Sequence, residues 1–220
     1  MVVDDYPRYV TGLDLGQASE FTAVAVLERT DRPDSEDEYG PLSSHYAVRH
    51  LERLPLGTAF PAIRDQIVAM LDKAPLGGSS LAVDRTAVGR AVLDLFKNAG
   101  LGDRVHSITV TAGAAAVFSE GDWLLPKKDL IGVLQVLLQS RRLKVAPHLE
   151  HAATLANELR TFQVKMTPAN NNASILWRER PHDDLVLAVA VAAWVGERYL
   201  NWSGDDSPMV FGHRNTIWDW

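Results

Sequence analysis

Acidic residues stand at three points where the sequence changes from one kind of structure to another. Asp14 ends a β-rich run that begins at Tyr9, Asp84 ends the apolar run 79–83, and the pair Asp183 and Asp184 opens a strongly apolar helix. A carboxylate beside a core is costly to bury without a partner, so we expect these groups to meet. Carboxylate oxygens are the ligands that hard cations such as Mg²⁺ prefer. The pattern therefore predicts an oxygen-lined pocket for divalent cations.

Each acidic group also has a purely structural interpretation. An aspartate before a glycine, as at Asp14, often forms a turn, and Asp84 could cap the following helix. Acids at a helix start, such as Asp183 and Asp184, complement the helix dipole. Two successive residues project roughly 100° apart on a helix. Only one of that pair is therefore expected to bind a metal directly, and Asp183 is favoured while Asp184 stays open.

Basic residues are concentrated in the second half of the chain. Between Trp123 and Arg180 there are nine Lys or Arg residues and four acids. Lys127 and Lys128 open a predicted helix, and Arg85 follows Asp84 directly. These three are candidate DNA phosphate contacts, although a solvated lysine pair is the simpler interpretation of Lys127 and Lys128.

Apolar periodicity predicts an α/β fold. Strands are expected at 9–15, 21–29, 44–51, 79–84 and 105–110, a β-hairpin at 115–125, a short strand at 174–178, and helices at 61–73, 87–98, from 126 onward, at 148–164 and at 183–200. The first three strands form an antiparallel meander around an exposed loop at 31–41, and the later ones, separated by helices, are parallel. We expect a flexible lead-in at 1–8, one domain at 9–200 and a tail at 201–220.

Composition excludes several classes of protein. The 220 residues carry a formal charge of −6 and no cysteine, so disulfides and thiolate metal sites are excluded. No apolar run is long enough for a membrane span, and the acidic start is unlike a signal peptide, so a cytoplasmic protein without membrane contact is expected. The sequence also has no phosphate-binding P-loop motif and no His-Glu-x-x-His motif.

Four sequence blocks, taken together, resemble one family. Asp14-Leu15-Gly16, Val83-Asp84-Arg85-Thr86-Ala87-Val88-Gly89, Leu125-Pro126-Lys127-Lys128-Asp129-Leu130 and Pro181-His182-Asp183-Asp184-Leu185 occur in this order. Together they resemble the carboxy-terminal nuclease domain of tailed-bacteriophage terminase large subunits, over about residues 9 to 200. The resemblance implies a ribonuclease H-like fold with a central five-stranded mixed sheet flanked by helices and an inserted β-hairpin.

The same resemblance implies an activity and partners. It implies an endonuclease that cuts concatemeric double-stranded viral DNA during packaging with two divalent cations, Mg²⁺ or Mn²⁺, held by Asp14, Asp84 and Asp183 or Asp184. The implied partners are DNA, a packaging ATPase domain or subunit, the portal and the small terminase, in the host-cell cytoplasm. The family's ATPase has no counterpart in these residues, so an isolated domain or a separate small protein is expected.

Three other functions remain open at this point. A Holliday-junction resolvase or transposase would share the acidic pocket. A phosphotransferase of the actin or sugar-kinase type would share the first loop after Asp14, but it needs a second Asp-x-Gly-Gly loop, which the chain lacks. A non-catalytic packaging or docking module would use the acids only to balance nearby arginines.

Overall fold

The computed structural model describes residues 8–16, 20–33, 42–162 and 183–199. Within these ranges the strands are β1 (Arg8–Asp14), β2 (Ala23–Pro33), β3 (Leu42–Arg53), β4 (Ser80–Asp84), β5 (Val105–Thr111), β6 (Val117–Ser119), β7 (Asp122–Pro126) and β8 (Leu143–Val145). The α-helices are α1 (Phe60–Leu71), α2 (Arg90–Phe96), α3 (Lys127–Gln139), α4 (Ala152–Thr161) and α5 (Asp184–Tyr199). None of the described helices is long and apolar enough to cross a membrane.

All eight described strands form one mixed sheet in the order β6-β7-β5-β4-β1-β2-β3-β8. Strands β1, β2 and β3 form the predicted antiparallel meander, and β4 and β5 continue from β1 in parallel. These five strands are the predicted central sheet. The sheet is wider than predicted because β7 of the hairpin pairs in parallel with β5, and β8 pairs in parallel with β3.

Helices cover both faces of the sheet, because successive strand residues point to opposite sides. Leu13, Val24 and Val83 pack with α1 and α2 on one face. Val10 and Ala82 pack with α3, α4 and α5 on the other face. The alternation therefore places the even-numbered strand-end residues 14 and 84 on the side of α5.

Helix α5 is buried along most of its length, as its uniformly apolar sequence predicts. It lies so close to β1 that a Cβ atom at Gly12 would be 1.9 Å from the Ala188 carbonyl oxygen. Near its other end, the buried Arg29 side chain donates a hydrogen bond of 2.6 Å to the Gly196 carbonyl oxygen. A Cβ at Gly196 would be 2.7 Å from the Tyr46 ring. Helix α5 is thus fixed against the central strands at two glycines.

Several predicted boundaries were wrong. Helix α2 begins at Arg90 rather than at residue 87, because the Asp84 side chain accepts the Thr86 N–H and holds the chain in a turn. Strand pairing extends to Pro33 and Leu42, so the loop predicted at 31–41 is shorter. Helix α4 is also shorter than the predicted 148–164. Arg8, the last residue of the lead-in predicted at 1–8, is the first residue of β1. Residues 1–7, the strand predicted at 174–178 and the tail at 201–220 lie outside the described residues.

Candidate metal centre

The two strand acids lie side by side. Asp14 and Asp84 are the last residues of the neighbouring parallel strands β1 and β4, and they are register partners. Adjacent strands are roughly 4.8 Å apart, and both side chains project toward α5. Beyond Asp14, the Gly16 N–H donates to the Thr22 hydroxyl at 3.2 Å, which turns the chain away from the site. The ends of β1 and β4 therefore present two adjacent carboxylates on the face of the sheet that α5 covers.

Asp84 is buried and oriented by its own turn. Its Oδ1 accepts hydrogen bonds from the Thr86 backbone N–H at 2.9 Å and from the Thr86 hydroxyl. Burial raises the pKa of Asp84, the Thr86 hydrogen bonds oppose that shift, and the charges of Asp122 and Asp183 add to it. Among the described residues Oδ2 has no hydrogen-bond donor, so one oxygen of this fixed carboxylate is available to a ligand.

Asp14 lies where several negative charges converge. Burial raises its pKa well above the ordinary carboxyl value, and the charges of Asp84, Asp184, Asp183 and Glu20 raise it further, in that order. Each of these acids therefore disfavours the ionised form of the same carboxyl group. The structure brings all four predicted acids into electrostatic contact, although 169 positions separate Asp14 from Asp183 in the numbering.

The two acids at the start of α5, Asp183 directly before the helix and Asp184 as its first residue, each meet a basic side chain. Lys127 Nζ lies 3.1 Å from Asp183 Oδ2. Arg53 donates from Nε to Asp184 Oδ2 at 2.7 Å and from Nη2 to Asp184 Oδ1 at 2.8 Å, which is a two-pronged contact. Arg53 also donates to Glu158, so its guanidinium joins two acids.

Glu158 of α4 contacts both Arg53 and the first turn of α5. It is 3% exposed, and its Oε2 accepts the Val186 backbone N–H at 3.0 Å, which caps one of the unpaired N–H groups of the helix. Burial raises the pKa of Glu158 to about 7, with opposing contributions from the Val186 hydrogen bond and the Arg53 charge. The start of α5 is therefore held by side chains from β3 and α4.

The residues present suit a divalent cation at the strand ends. In the described part of the chain, no three His, Asp or Glu side chains are arranged to hold an ion by themselves. Mg²⁺, however, is usually bound by one or two carboxylates, with waters and substrate phosphates completing its ligands. Asp14 and Asp84 supply two adjacent carboxylates whose mutual repulsion a cation would relieve. This donor set fits Mg²⁺ or Mn²⁺ bound together with a phosphate.

The three predicted DNA contacts lie in different surroundings. Lys128 is exposed at the first turn of α3. Lys127 faces Asp183, and its Nζ lies 4.8 Å from the centre of the Phe162 ring. Arg85 points inward, where it donates to the Asp122 carboxylate and to Ser107. The role of each in DNA binding stays a prediction.

Sequence reasoning missed three charged residues around the site, of which Glu158 and Asp122 are buried and Arg53 is partly buried. Arg53 and Glu158 hold the start of α5, and Asp122 holds Arg85. Glu158 had a detectable signal: it lies three residues after the buried Leu155 on the apolar face of α4. Asp122 lies within the hairpin predicted at 115–125, and it is the buried first residue of β7.

The sheet order, with carboxylates at the ends of β1 and β4 and at the start of α5, defines the class of fold. The chain has the ribonuclease H-like fold of terminase nuclease domains, which confirms the fold expected from the sequence resemblance. No protein-family model matches the sequence. No curated protein matches it either.

The structural similarity extends to particular solved proteins. One is the large terminase nuclease from thermophilic phage G20c, solved with bound magnesium, with a TM-score of 0.56 and 24% identity over 88% of this chain and 85% of that chain. A second structure of the same nuclease gives 0.55 and 22% identity over 90% and 87%. The manganese-soaked human cytomegalovirus terminase nuclease domain gives 0.51 and 15% identity over 87% and 84%.

Proposed function

We propose that this chain is a divalent-metal-dependent endonuclease that cuts double-stranded viral DNA during genome packaging. The observation that carries the proposal is the pairing of Asp14 with Asp84 at adjacent strand ends, facing the acids of α5. The fold supports it, since the similar phage nuclease was solved with bound magnesium and the cytomegalovirus domain was soaked with manganese.

In this proposal each acid has a defined task. Asp14 and Asp84 would hold the first cation, and Asp183 or Asp184 would contribute to a second. Bound divalent cations would supply the Lewis acidity that activates a water and neutralises charge on the scissile phosphate. Thr86 keeps the Asp84 carboxylate in one orientation by donating twice to Oδ1. The pKa values of Asp14 and Asp84 are raised, so these carboxyl groups become protonated as the pH falls. The cluster should consequently lose metal affinity at acid pH.

The basic residues near the acids would position the DNA. Lys128 projects into solvent at the start of α3, one residue from Lys127, which contacts Asp183. Phosphate contacts of this kind carry no sequence information, so cutting should have low sequence specificity. The negative net charge of the chain argues that DNA is delivered by partners. A packaging ATPase, the portal and the small terminase, acting in the host-cell cytoplasm, would fit that need.

A plasmid digestion tests the proposal directly. Supercoiled plasmid is incubated with the chain in Mg²⁺, in Mn²⁺ and in EDTA, beside the variant Asp14→Asn. We expect nicked and linear products with either metal, none in EDTA and none with the variant. Variant Asp94→Asn, which makes the same change at an exposed position of α2, is the matched control and should cut normally. Undiminished cutting by Asp14→Asn would refute the assignment.

The same assay separates packaging nucleases from branched-DNA enzymes. Linear duplexes and four-way junctions of equal length are offered together at equal concentration. We expect no preference for the junction. A strong preference for it would favour the resolvase alternative on the same fold.

A further inference from the structure

A buried polar cluster lies on the face of the sheet opposite the metal acids. The Asp122 carboxylate of β7 is 3% exposed, and it accepts hydrogen bonds from two hydroxyls of β5, Ser107 at 2.6 Å and Thr109 at 2.7 Å. The Arg85 guanidinium donates to Asp122 and, from Nε, to Ser107 at 3.2 Å. Ser107 is the register partner of Val83, whose side chain packs with α1 and α2. The cluster therefore lies behind the sheet, away from α5.

The cluster holds the turn that carries Asp84, because Arg85 is the next residue in the chain. The Arg85 N–H donates to the Ile108 carbonyl oxygen at 2.9 Å. The Thr86 hydroxyl, which donates to Asp84 Oδ1, accepts the Val110 N–H at 2.8 Å. The main chain of the turn is thus attached to β5, while the Arg85 side chain extends to β7. The position of Asp84 consequently depends on contacts with two further strands.

Both oxygens of Asp122 are used in this cluster. Oδ1 accepts from Ser107, and Oδ2 accepts from Thr109 and Arg85. A buried ion pair contributes little net stability, because the loss of water around both charges offsets their attraction. Hydrogen-bonded side chains behind a metal ligand do, however, fix its orientation. The geometry of the cluster therefore suits orientation of the turn better than stabilisation of the fold.

We propose that Asp122 and Arg85 are positioning residues of the metal centre. They hold the turn so that the Asp84 carboxylate stays beside Asp14, and neither side chain touches metal or DNA. Arg85 then has a role different from the phosphate contact expected from the sequence. This inference rests on the proposed function, since it assigns a task at the same metal centre.

The opposite charges of the two residues separate positioning from simple electrostatics. Asp122→Asn removes a negative charge near the metal centre, which by itself weakens cation binding, whereas Arg85→Gln removes a positive charge, which by itself strengthens it. Loss of positioning weakens cation binding in both variants. Removing a contact behind a metal ligand typically costs about 10–100-fold in metal affinity. We therefore expect the Kd for Mn²⁺ to rise on the order of tenfold in each variant, and no further in the double variant, because the two residues act as one unit.

Calorimetric titration of Mn²⁺ into the full chain without DNA measures these affinities. Arg90→Gln is the matched control, because Arg90 forms an exposed ion pair with Glu120 of the hairpin, and it should bind Mn²⁺ like the wild type. Circular dichroism checks that each variant folds. Arg85→Lys keeps the charge but loses the forked contact, so it should also bind Mn²⁺ more weakly, and it replaces either single variant that fails to fold.

Duplex binding in EDTA separates positioning from phosphate contact. Arg85→Gln should keep the DNA affinity of the wild type and its dependence on salt, whereas loss of a phosphate contact would lower the salt slope by about one. Weaker DNA binding with that lower slope would overturn the inference. Unchanged Mn²⁺ affinity in the folded variants, or tighter Mn²⁺ binding by Arg85→Gln, would overturn it too.

These outcomes are distinct from failure of the proposed function. If only the positioning inference is wrong, the wild type still binds Mn²⁺ and cuts plasmid. A wild type that binds no Mn²⁺ and cuts no plasmid would remove the proposed function, and this inference with it.

Discussion

Replacing Asp14 by Asn removes one of two neighbouring negative charges while keeping the size and shape of the side chain. Asp14 and Asp84 are register partners, and carboxylates about 5 Å apart repel by about 3 kcal/mol at an effective dielectric constant of about 20. Asp14 is partly exposed, so screening by water lowers this to about 1–2 kcal/mol. For a chain of this length, we expect metal-free Asp14→Asn to melt roughly 3–6 °C higher than the wild type at pH 8.

The pH dependence of this difference has a definite sign. The pKa of Asp14 is raised in the folded state, so the folded protein binds its proton more tightly than the unfolded chain does. The destabilisation is absent at acid pH and grows as the pH rises above the ordinary carboxyl range. The melting difference should therefore be largest near pH 8 and should shrink toward zero as the pH falls to about 4.

Metal should reverse the order of stability. A ligand present at 100 times its Kd stabilises the folded state by about 2.7 kcal/mol, and Asp14→Asn lacks one of the two strand carboxylates that would bind it. Thermal melts of wild type, Asp14→Asn and the control Asp94→Asn with EDTA and with Mn²⁺ give the result. A metal-free Asp14→Asn protein that melts at or below the wild type would show that repulsion between these acids does not shape the site.

Three further substitutions test the elements that position the acids. Gly12→Ala places a Cβ against an α5 carbonyl and should lower the free energy of unfolding in urea by about 3 kcal/mol. Gly132→Ala in α3, where a Cβ would meet no atom within 4 Å, should leave the free energy of unfolding unchanged or raise it by about 0.5 kcal/mol. Equal effects of the two substitutions would contradict the close packing at Gly12. Burial raises the pKa of Glu158 to about 7, so the stability that the protonated Glu158 contributes is lost as the pH rises through that value. The free energy of unfolding of Glu158→Gln, measured in urea, should therefore fall less steeply between pH 5 and 8 than that of the wild type. Arg53→Lys keeps the charge but loses the two-pronged contact, and it should destabilise the fold by about 2 kcal/mol in the same urea assay; an unchanged midpoint would argue against a fixed role for Arg53.

The central sheet and its acids were predictable because their signals are local. Alternating apolar residues mark β1 and β4, and an acid directly after such a run must lie at a strand end. Two parallel strands in register then bring Asp14 and Asp84 together. The three-residue strand β8 was missed because so short a segment carries no periodic pattern.

The partners of the α5 acids could not be predicted, because they depend on pairing across long stretches of chain. Arg53 and Asp184 are separated by 131 positions, and Lys127 and Asp183 by 56. Nothing near Arg53 in the sequence distinguishes it from an exposed residue at a strand end. Only the packing of α4 and α5 on the meander makes it an internal cation.

Helix α5 is clamped by arginines at opposite ends, with Arg53 on its first residue and Arg29 on the Gly196 carbonyl oxygen. Both arginines belong to the meander, so the helix cannot slide along the sheet without breaking one clamp. A rigid-body shift of this element is therefore an unsuitable way to adapt to a substrate. Accommodation of different duplex shapes must come from side chains and connecting segments, and the spacing of the acids stays constant while the chain around them adjusts.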